Sequence, residues 1–287
     1  MPRSTDLALT ALAPAIWGST YLVTTELLGG WDPLALALLR ALPAGILLLL
    51  VMRQWPTGIW WHRAVVLGIL NFSFFWVMLF ISAHRLPGGV AATVGAIQPL
   101  FVLLLAGPVL GSAIRPAAVL AALAGMLGVA LLVLAPGATL DMWGIAAGLA
   151  GAVAMAAGTV LTRKWQPPVS PLTFTAWQLT AGGLVLLPAL AWWHPPLPEL
   201  SLRSLSGLVY LGLIGAAGTY ILWFRGIARL GPGVVAPLGL LSPVSAVLLG
   251  WMVLGQTLSP VQMLGMAVVI GSIVASQFLQ PPQPHKE

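Results

Sequence analysis

The sequence predicts an all-α integral membrane protein: ten transmembrane helices, arranged as two inverted five-helix repeats around a central cavity. Three observations carry that prediction. Of 287 residues, 59% are hydrophobic and 6% charged, too little polar surface to cover a water-soluble globule of this length. Apolar runs of about 20 residues, enough to cross a hydrocarbon core of about 30 Å, recur along the whole chain with short punctuated connections. The two halves also repeat one another.

The runs fall at residues 7–28, 34–52, 64–82, 88–110, 116–134, 142–161, 171–192, 204–224, 231–254 and 260–278. They are helices rather than barrel strands because each is continuously apolar and lacks in/out alternation. The first follows Arg3 in the manner of a signal peptide, but it stays apolar through Leu28 and carries Trp17 and Tyr21 where a cleavage region would stand, so it reads as a retained span. The second opens after a Pro-containing turn and holds Arg40, the one cation inside a span. The fourth and ninth open on glycine-rich segments and each contain a proline.

Charge gives the sidedness. With both ends on one face, that face collects Arg3, Arg53, Arg63, Arg115, Arg163, Lys164, Arg225, Arg229 and Lys286, and the other only Arg85 and Arg203. The excess places the N- and C-termini in the cytoplasm. The basic residues are spread among connections and form no stripe, so the formal charge of +6 does not call for a nucleic-acid partner. Trp31, Trp55, Trp60, Trp61, Trp165, Trp192 and Trp193 lie near span ends, as interfacial indoles do. His84 reads as interfacial as well.

The repeat is visible directly. RLPGGVAATVGAIQP from Arg85 and RLGPGVVAPLGLLSP from Arg229 share seven of fifteen positions at an offset of 144. That offset sets Gly89 on Gly233, Gly95 on Gly239, Pro99 on Pro243, Gly111 on Gly255 and Pro116 on Pro260. Earlier in each half, DPLALALLRALPAGILLL from Asp32 matches SPLTFTAWQLTAGGLVLL from Ser170 at an offset of 138, the difference falling in a loop. The repeats are taken as residues 1–137 and 138–287. Five spans per copy is an odd number, so the second copy enters from the opposite face, an organisation characteristic of secondary transporters.

IWGSTY at Ile16 to Tyr21, Arg40 after its Pro-containing turn, the glycine-rich start of span four with Gly95 and Pro99, and AGTVLTRK at Ala157 to Lys164 together resemble the EamA family of the drug/metabolite transporter superfamily, over nearly the whole chain. Within that family the sequence is similar to the bacterial aromatic amino-acid exporters. The resemblance implies ten helices, a substrate cavity between the halves, alternating access, residence in the inner membrane, and export of small metabolites such as amino acids or drug-like amphipathic compounds. The family often has an acidic residue after Leu-Gly at the ends of spans four and nine; here Ser112 and Gln256 stand there.

A cavity between inverted repeats should be lined by equivalent faces of equivalent helices. Trp17, Thr20, Tyr21 and Thr24 share a face by i, i+3, i+4, i+7 spacing and fall on Met155, Gly158, Thr159 and Thr162 of span six. Spans three and eight set Asn71, Phe75, Trp76 and Leu79 opposite Gly215, Thr219, Tyr220 and Trp223. Thr93 and Pro237 are mates on spans four and nine. From these, the candidate substrate-binding residues are Trp17, Tyr21, Asn71, Phe75, Trp76, Thr93, Met155, Thr159, Thr219, Tyr220, Trp223 and Pro237. Helix-to-helix hydrogen bonding and ordinary membrane packing are the alternative uses of the same stripes. Gly95, Pro99, Gly239 and Pro243 form paired helix interruptions suited to a hinge or gate. Glu26 is the carboxylate nearest Arg40 in sequence, which suggests a structural ion pair; the alternative is that Arg40 meets a substrate carboxylate.

Asp6, Glu26, Asp32, Asp141, Glu199 and Glu287 all fall near span ends or in loops, so the usual midplane coupling group is missing. Facilitated transport of a neutral, zwitterionic or cationic solute is the expectation. No cofactor or metal is expected, and the chain has no cysteine. An intramembrane enzyme finds no support: there are no paired intramembrane aspartates and no His-Glu-x-x-His, and Ser19, Ser73, Ser242 and Ser245 have no histidine at matching depth. A solute channel with a hydrated pore between the repeats is the stronger rival. The expected partners are a small solute and the bilayer. The pair Gly144 and Gly148 can pack within the bundle or between two copies, which leaves a homodimer open.

Overall fold

The computed structural model describes residues 3–86, 88–133, 141–195 and 197–279. Leu134, the predicted boundary between 137 and 138, Lys286 and Glu287 lie outside them. Ten helices are long and apolar enough to cross a membrane: α1 Arg3–Leu27, α2 Pro33–Met52, α3 Trp60–Arg85, α4 Val90–Leu110, α5 Pro116–Val133, α6 Met142–Lys164, α7 Pro171–Trp193, α8 Leu202–Leu230, α9 Pro232–Leu254 and α10 Pro260–Leu279. Each predicted span lies on one of them.

Local chemistry sets where they start and stop. Asp32 caps α2, its carboxylate accepting from Leu34 N at 2.8 Å, and Pro33 takes a first-turn place where no N–H is needed. Ser170 and Pro171 do the same for α7 at the equivalent place in the second half. Asp141 caps α6 through Gly144 N, and Ser201 with Ser204 forms a capping box on α8. α4 and α9 end at Gly111 (φ 70°) and Gly255 (φ 66°), left-handed positions that a side chain would strain.

Irregularities recur at equivalent places. α3 widens into a π-helix at Ile69–Ser73 and α8 at Tyr210–Gly218; the offset of 144 sets the first inside the second. α4 breaks after Gly95 and resumes at Gln98, while α9 passes through a 3-10 segment at Ala236–Leu240 before resuming at Leu241. Pro99 and Pro243 therefore sit in the first turn of the resumed helices, where a missing N–H costs little, rather than kinking a continuous helix.

Packing pairs equivalent helices across the halves: α2 runs along α7 and α5 along α10, and α1 lies against α8 and α9 as α6 lies against α3 and α4. The contacts mirror one another residue by residue. A Cβ on Gly45 would come within 2.5 Å of Thr180 N, and one on its mate Gly183 within 2.6 Å of Cβ of Leu42, the mate of Thr180. Small residues at such crossings let helix backbones approach closely where lipid supplies no hydrophobic drive. Gly144 packs on Leu86 and Gly148 on Val94 and Ser82. This pair is thus used within the bundle, not as a free dimer face.

Candidate solute cavity

A cavity of about 510 Å³ lies among α1, α3, α4, α6 and α9, with Leu36 and Arg40 of α2 and Tyr220 of α8 completing the wall. The whole α1 stripe, Trp17, Thr20, Tyr21 and Thr24, lines it. Its floor is aromatic. The Trp17 ring lies 4.9 Å from Tyr220 and 5.0 Å from Trp223, and its Nε1 donates to Thr219 Oγ1 at 2.8 Å. Phe72 and Trp76 close on the other side of Tyr220, at 4.5 and 6.1 Å. Such rings give a large apolar area with fixed geometry and few polar handles.

Of the predicted lining residues, Trp17, Tyr21, Phe75, Trp76, Met155 and Tyr220 reach the cavity, as do Gly95, Pro99, Gly239 and Pro243. Asn71, Thr159, Thr219 and Trp223 are buried behind the wall, and Thr93 and Pro237 sit on α4 and α9 off it. For Thr159 the cause is visible. The repeat suggests equal use of both copies, but the cavity takes its polar stripe from α1 and leaves the α6 equivalents Gly158, Thr159 and Thr162 packed against protein. Trp31, expected at the headgroup level, is 8% exposed and lines the mouth, together with Gly29, Gly30 and His84.

The expected Glu26–Arg40 pair does not form. Glu26 lies 4.0 Å from Arg203, both at helix ends. Arg40, about 10 Å into α2 at 1.5 Å per residue, is out of that carboxylate's company: its Nη2 donates to the Gly215 carbonyl at 2.7 Å and its guanidinium lies over the Trp76 ring at 4.5 Å. The π-helical segment of α8 supplies that carbonyl, its wider turns loosening the regular ladder.

Gln98, Ser82 and Gly151 also line the cavity and were not singled out from the sequence, as does Gly148, which was singled out only as a packing position. The available signal for Gln98 was an amide beside a helix-breaking proline in an otherwise apolar span. Among the described residues no carboxylate lines the cavity, and no cluster of three or more His, Asp or Glu is placed to bind a metal.

The opposite end of the bundle is shut by polar contacts. Asp6, 6% exposed, accepts from Arg225 at 2.6 Å and from Arg229 at 3.2 Å, joining the start of α1 to the end of α8. One turn further in, Gly226 lets Thr10 press against α8, with no room for a Cβ. Arg163 and Gln166, at the end of α6, both donate to the Ala228 carbonyl.

The described ion pairs join connections that the charge pattern assigns to a common face: Asp6 with Arg225 and Arg229, Arg85 with Asp141, and Glu26 with Arg203. PecM of Dickeya dadantii is 44% identical over 268 residues, covering 92% of this chain and 90% of that protein. The uncharacterized inner membrane transporter YedA of Escherichia coli K12 is 30% identical over 277 residues, covering 94% and 90%. A WAT1-related chloroplastic protein of Arabidopsis thaliana is 28% identical, covering 91% of this chain and 67% of that one. A protein of known crystal structure superposes with a TM-score of 0.83 at 22% identity over 97% of this chain and 100% of its own, a likeness of fold. The model of the EamA-like transporter family matches twice, at residues 5–134 and 142–276, so this multi-pass membrane protein belongs to the EamA-like transporter family.

Proposed function

We propose that this protein is a secondary transporter of the inner membrane that moves small amphipathic organic solutes, aromatic or apolar amino acids among them, by alternating access and without ion coupling. The two family-model matches are then inverted repeats, since five spans separate α1 from α6, and both termini face the cytoplasm with the cavity mouth facing outward.

One observation carries the reading. At the shut end Arg163 of α6 and Gln166 just past it hold the Ala228 carbonyl of α8. Their repeat mates at the other end are Thr25 of α1, Leu28 just past it and His84 of α3, and all three line the cavity mouth. Thr25 bonds only to Tyr21 and Leu22 of its own helix, and His84 to Phe80. The same positions are thus hydrogen-bonded across helices at one end and line a cavity at the other, a difference that fits two ends exchanging states. The absence of a carboxylate from the wall favours movement down the solute's own gradient.

Purified protein in liposomes tests this. Uptake of aromatic amino acids should saturate and be stimulated by the same solute on the far side. Tyr21→Ala and Trp76→Ala should each lower that flux about tenfold or more. Unitary ionic currents in a planar bilayer would replace the carrier with a channel, and accumulation driven by an imposed pH difference would remove the uncoupled reading.

A further inference from the structure

Arg40 is 4% exposed and, among the described residues, forms no ion pair. Among the described residues its hydrogen bond goes to one backbone carbonyl and its plane lies over one indole, with tyrosines nearby, and its Nε has no hydrogen-bond partner. Two further donors on the same wall, Gln98 Nε2 and Thr24 Oγ1, also lack partners. A buried guanidinium with spare N–H groups is an expensive element unless an anion meets it, and its planar fork suits a carboxylate.

The repeat shows that the fold itself does not need this charge. The mate of Arg40 in α7 is Gln178, and the mate of Gly215 in α8 is Asn71. Asn71 Nδ2 donates to Gln178 Oε1 at 2.8 Å, so a neutral amide pair completes the same crossing, fully buried and away from the cavity. At the crossing of α2 with α8 the amide partner is replaced by Gly215, and Arg40 is among the residues lining the cavity. The charge is therefore surplus to architecture and available to a ligand. With Trp17, Tyr21, Phe75, Trp76 and Tyr220 around it, the ligand's body is flat and apolar.

We infer that Arg40 is the carboxylate-recognising residue of the cavity, assisted by Gln98 and Thr24, and that the preferred solutes are aromatic monocarboxylates rather than amines with the same body. This rests on the cavity being the solute site proposed above. It shifts the expected solute from neutral, zwitterionic or cationic to anionic: a cation would meet an unopposed guanidinium and no lining carboxylate, whereas a zwitterion satisfies Arg40 but leaves its ammonium only neutral acceptors.

A matched series of probes tests it: 3-phenylpropionate, phenylalanine and 2-phenylethylamine, with binding to the full chain in lipid nanodiscs read calorimetrically. The acid should bind tightest, the amino acid less tightly, and the amine at least about tenfold more weakly than the acid. Arg40→Gln should cost the acid about tenfold or more and erase the discrimination. Gln98→Glu leaves Arg40 and its packing in place but adds an anion to the same wall; it should weaken the acid and strengthen the amine, and it serves if the Arg40 variant does not fold. Equal or tighter binding of the amine to the wild type, binding of none of the three, or undiminished acid binding in Arg40→Gln would overturn the inference. Arg40-dependent acid binding with no flux in liposomes would leave the site standing and remove the transporter reading. Flux of the amine alone would do the reverse.

Discussion

The two halves build the same crossing in opposite ways. Around Gln178 the second half is sealed: the glutamine meets Asn71, Asn71 also reaches Thr162 at 3.4 Å, and Gly158 leaves no room between α6 and the Asn71 amide. Around Arg40 the first half is open: Gly215 replaces the asparagine, Thr20 replaces Gly158, and the cation looks onto a cavity. The ends differ likewise, with Arg163 of α6 tied to Ala228 at one end and the equivalent Thr25 and His84 lining the cavity at the other. A duplicated unit supplies the backbone twice. A handful of side chains then decides which copy is structure and which is site.

The strongest way to break the sealed half is Gly158→Ala. Its Cβ would collide with the Asn71 amide, which is fully buried and held by Gln178, so the helices must part or the amide pair must break. Overpacking together with a lost buried hydrogen bond costs about 3 kcal/mol, expected as a large drop in melting temperature of the purified protein. The equivalent change in the open half, Thr20→Gly, removes atoms facing a cavity and should cost less than about 1 kcal/mol. Equal losses would mean the halves are sealed alike.

Asn71→Ala comes next. It leaves Gln178 Oε1 buried without a donor, a loss of about 1–3 kcal/mol read in the same melting experiment. Because the amide pair lies off the cavity, the relative affinities for acid, amino acid and amine should hold in the surviving fraction. A change in that order would show that the sealed crossing shapes the site after all.

The shut end is weaker. Asp6→Asn keeps the shape but removes the charge that Arg225 and Arg229 share, and exposure of Arg229, 46% for its side chain, moderates the loss. A destabilisation of that end by about 1.4 kcal/mol would multiply its open population tenfold. The chain has no cysteine, so a single Ala228→Cys probe is free of background, and its maleimide labelling should rise about tenfold in the Asp6→Asn background. Unchanged labelling would mean that the Arg163 and Gln166 contacts hold the end without Asp6.

Much of this was legible in sequence. Continuous apolar runs gave the ten spans, because a membrane demands length and apolarity and little else. The α1 stripe was legible because Thr20, Tyr21 and Thr24 are polar in an apolar helix at helical spacing. The fate of Thr159 and Trp223 was not: a repeat predicts equal use of both copies, whereas both side chains are buried off the cavity. Nor was the partner of Arg40. Proximity in sequence nominated Glu26, but a side chain two turns inside α2 lies at the depth of the α8 π-helix, and Glu26 stays at the end with Arg203. Gln98 was hidden because a lone amide in an apolar span has no periodic partner to mark it.

The smallest expected effect is the most discriminating. Gly215→Ala adds a methyl at the position whose mate is Asn71. Its Cβ would lie 3.6 Å from Arg40 Nη2, 3.7 Å from Leu211 Cδ2 and 3.7 Å from the Tyr210 carbonyl, all ordinary contacts. The hydrogen bond from Arg40 goes to the Gly215 carbonyl, which the substitution keeps. Alanine also gains helix propensity over glycine, so stability should stay within about 0.5 kcal/mol of wild type. Fluxes and acid-over-amine preference should stay within about twofold, since neither Arg40 nor the aromatic wall is moved. A loss of several kcal/mol would mean that Gly215 is as tightly seated as Gly158, and the contrast between an open and a sealed crossing would fall with it.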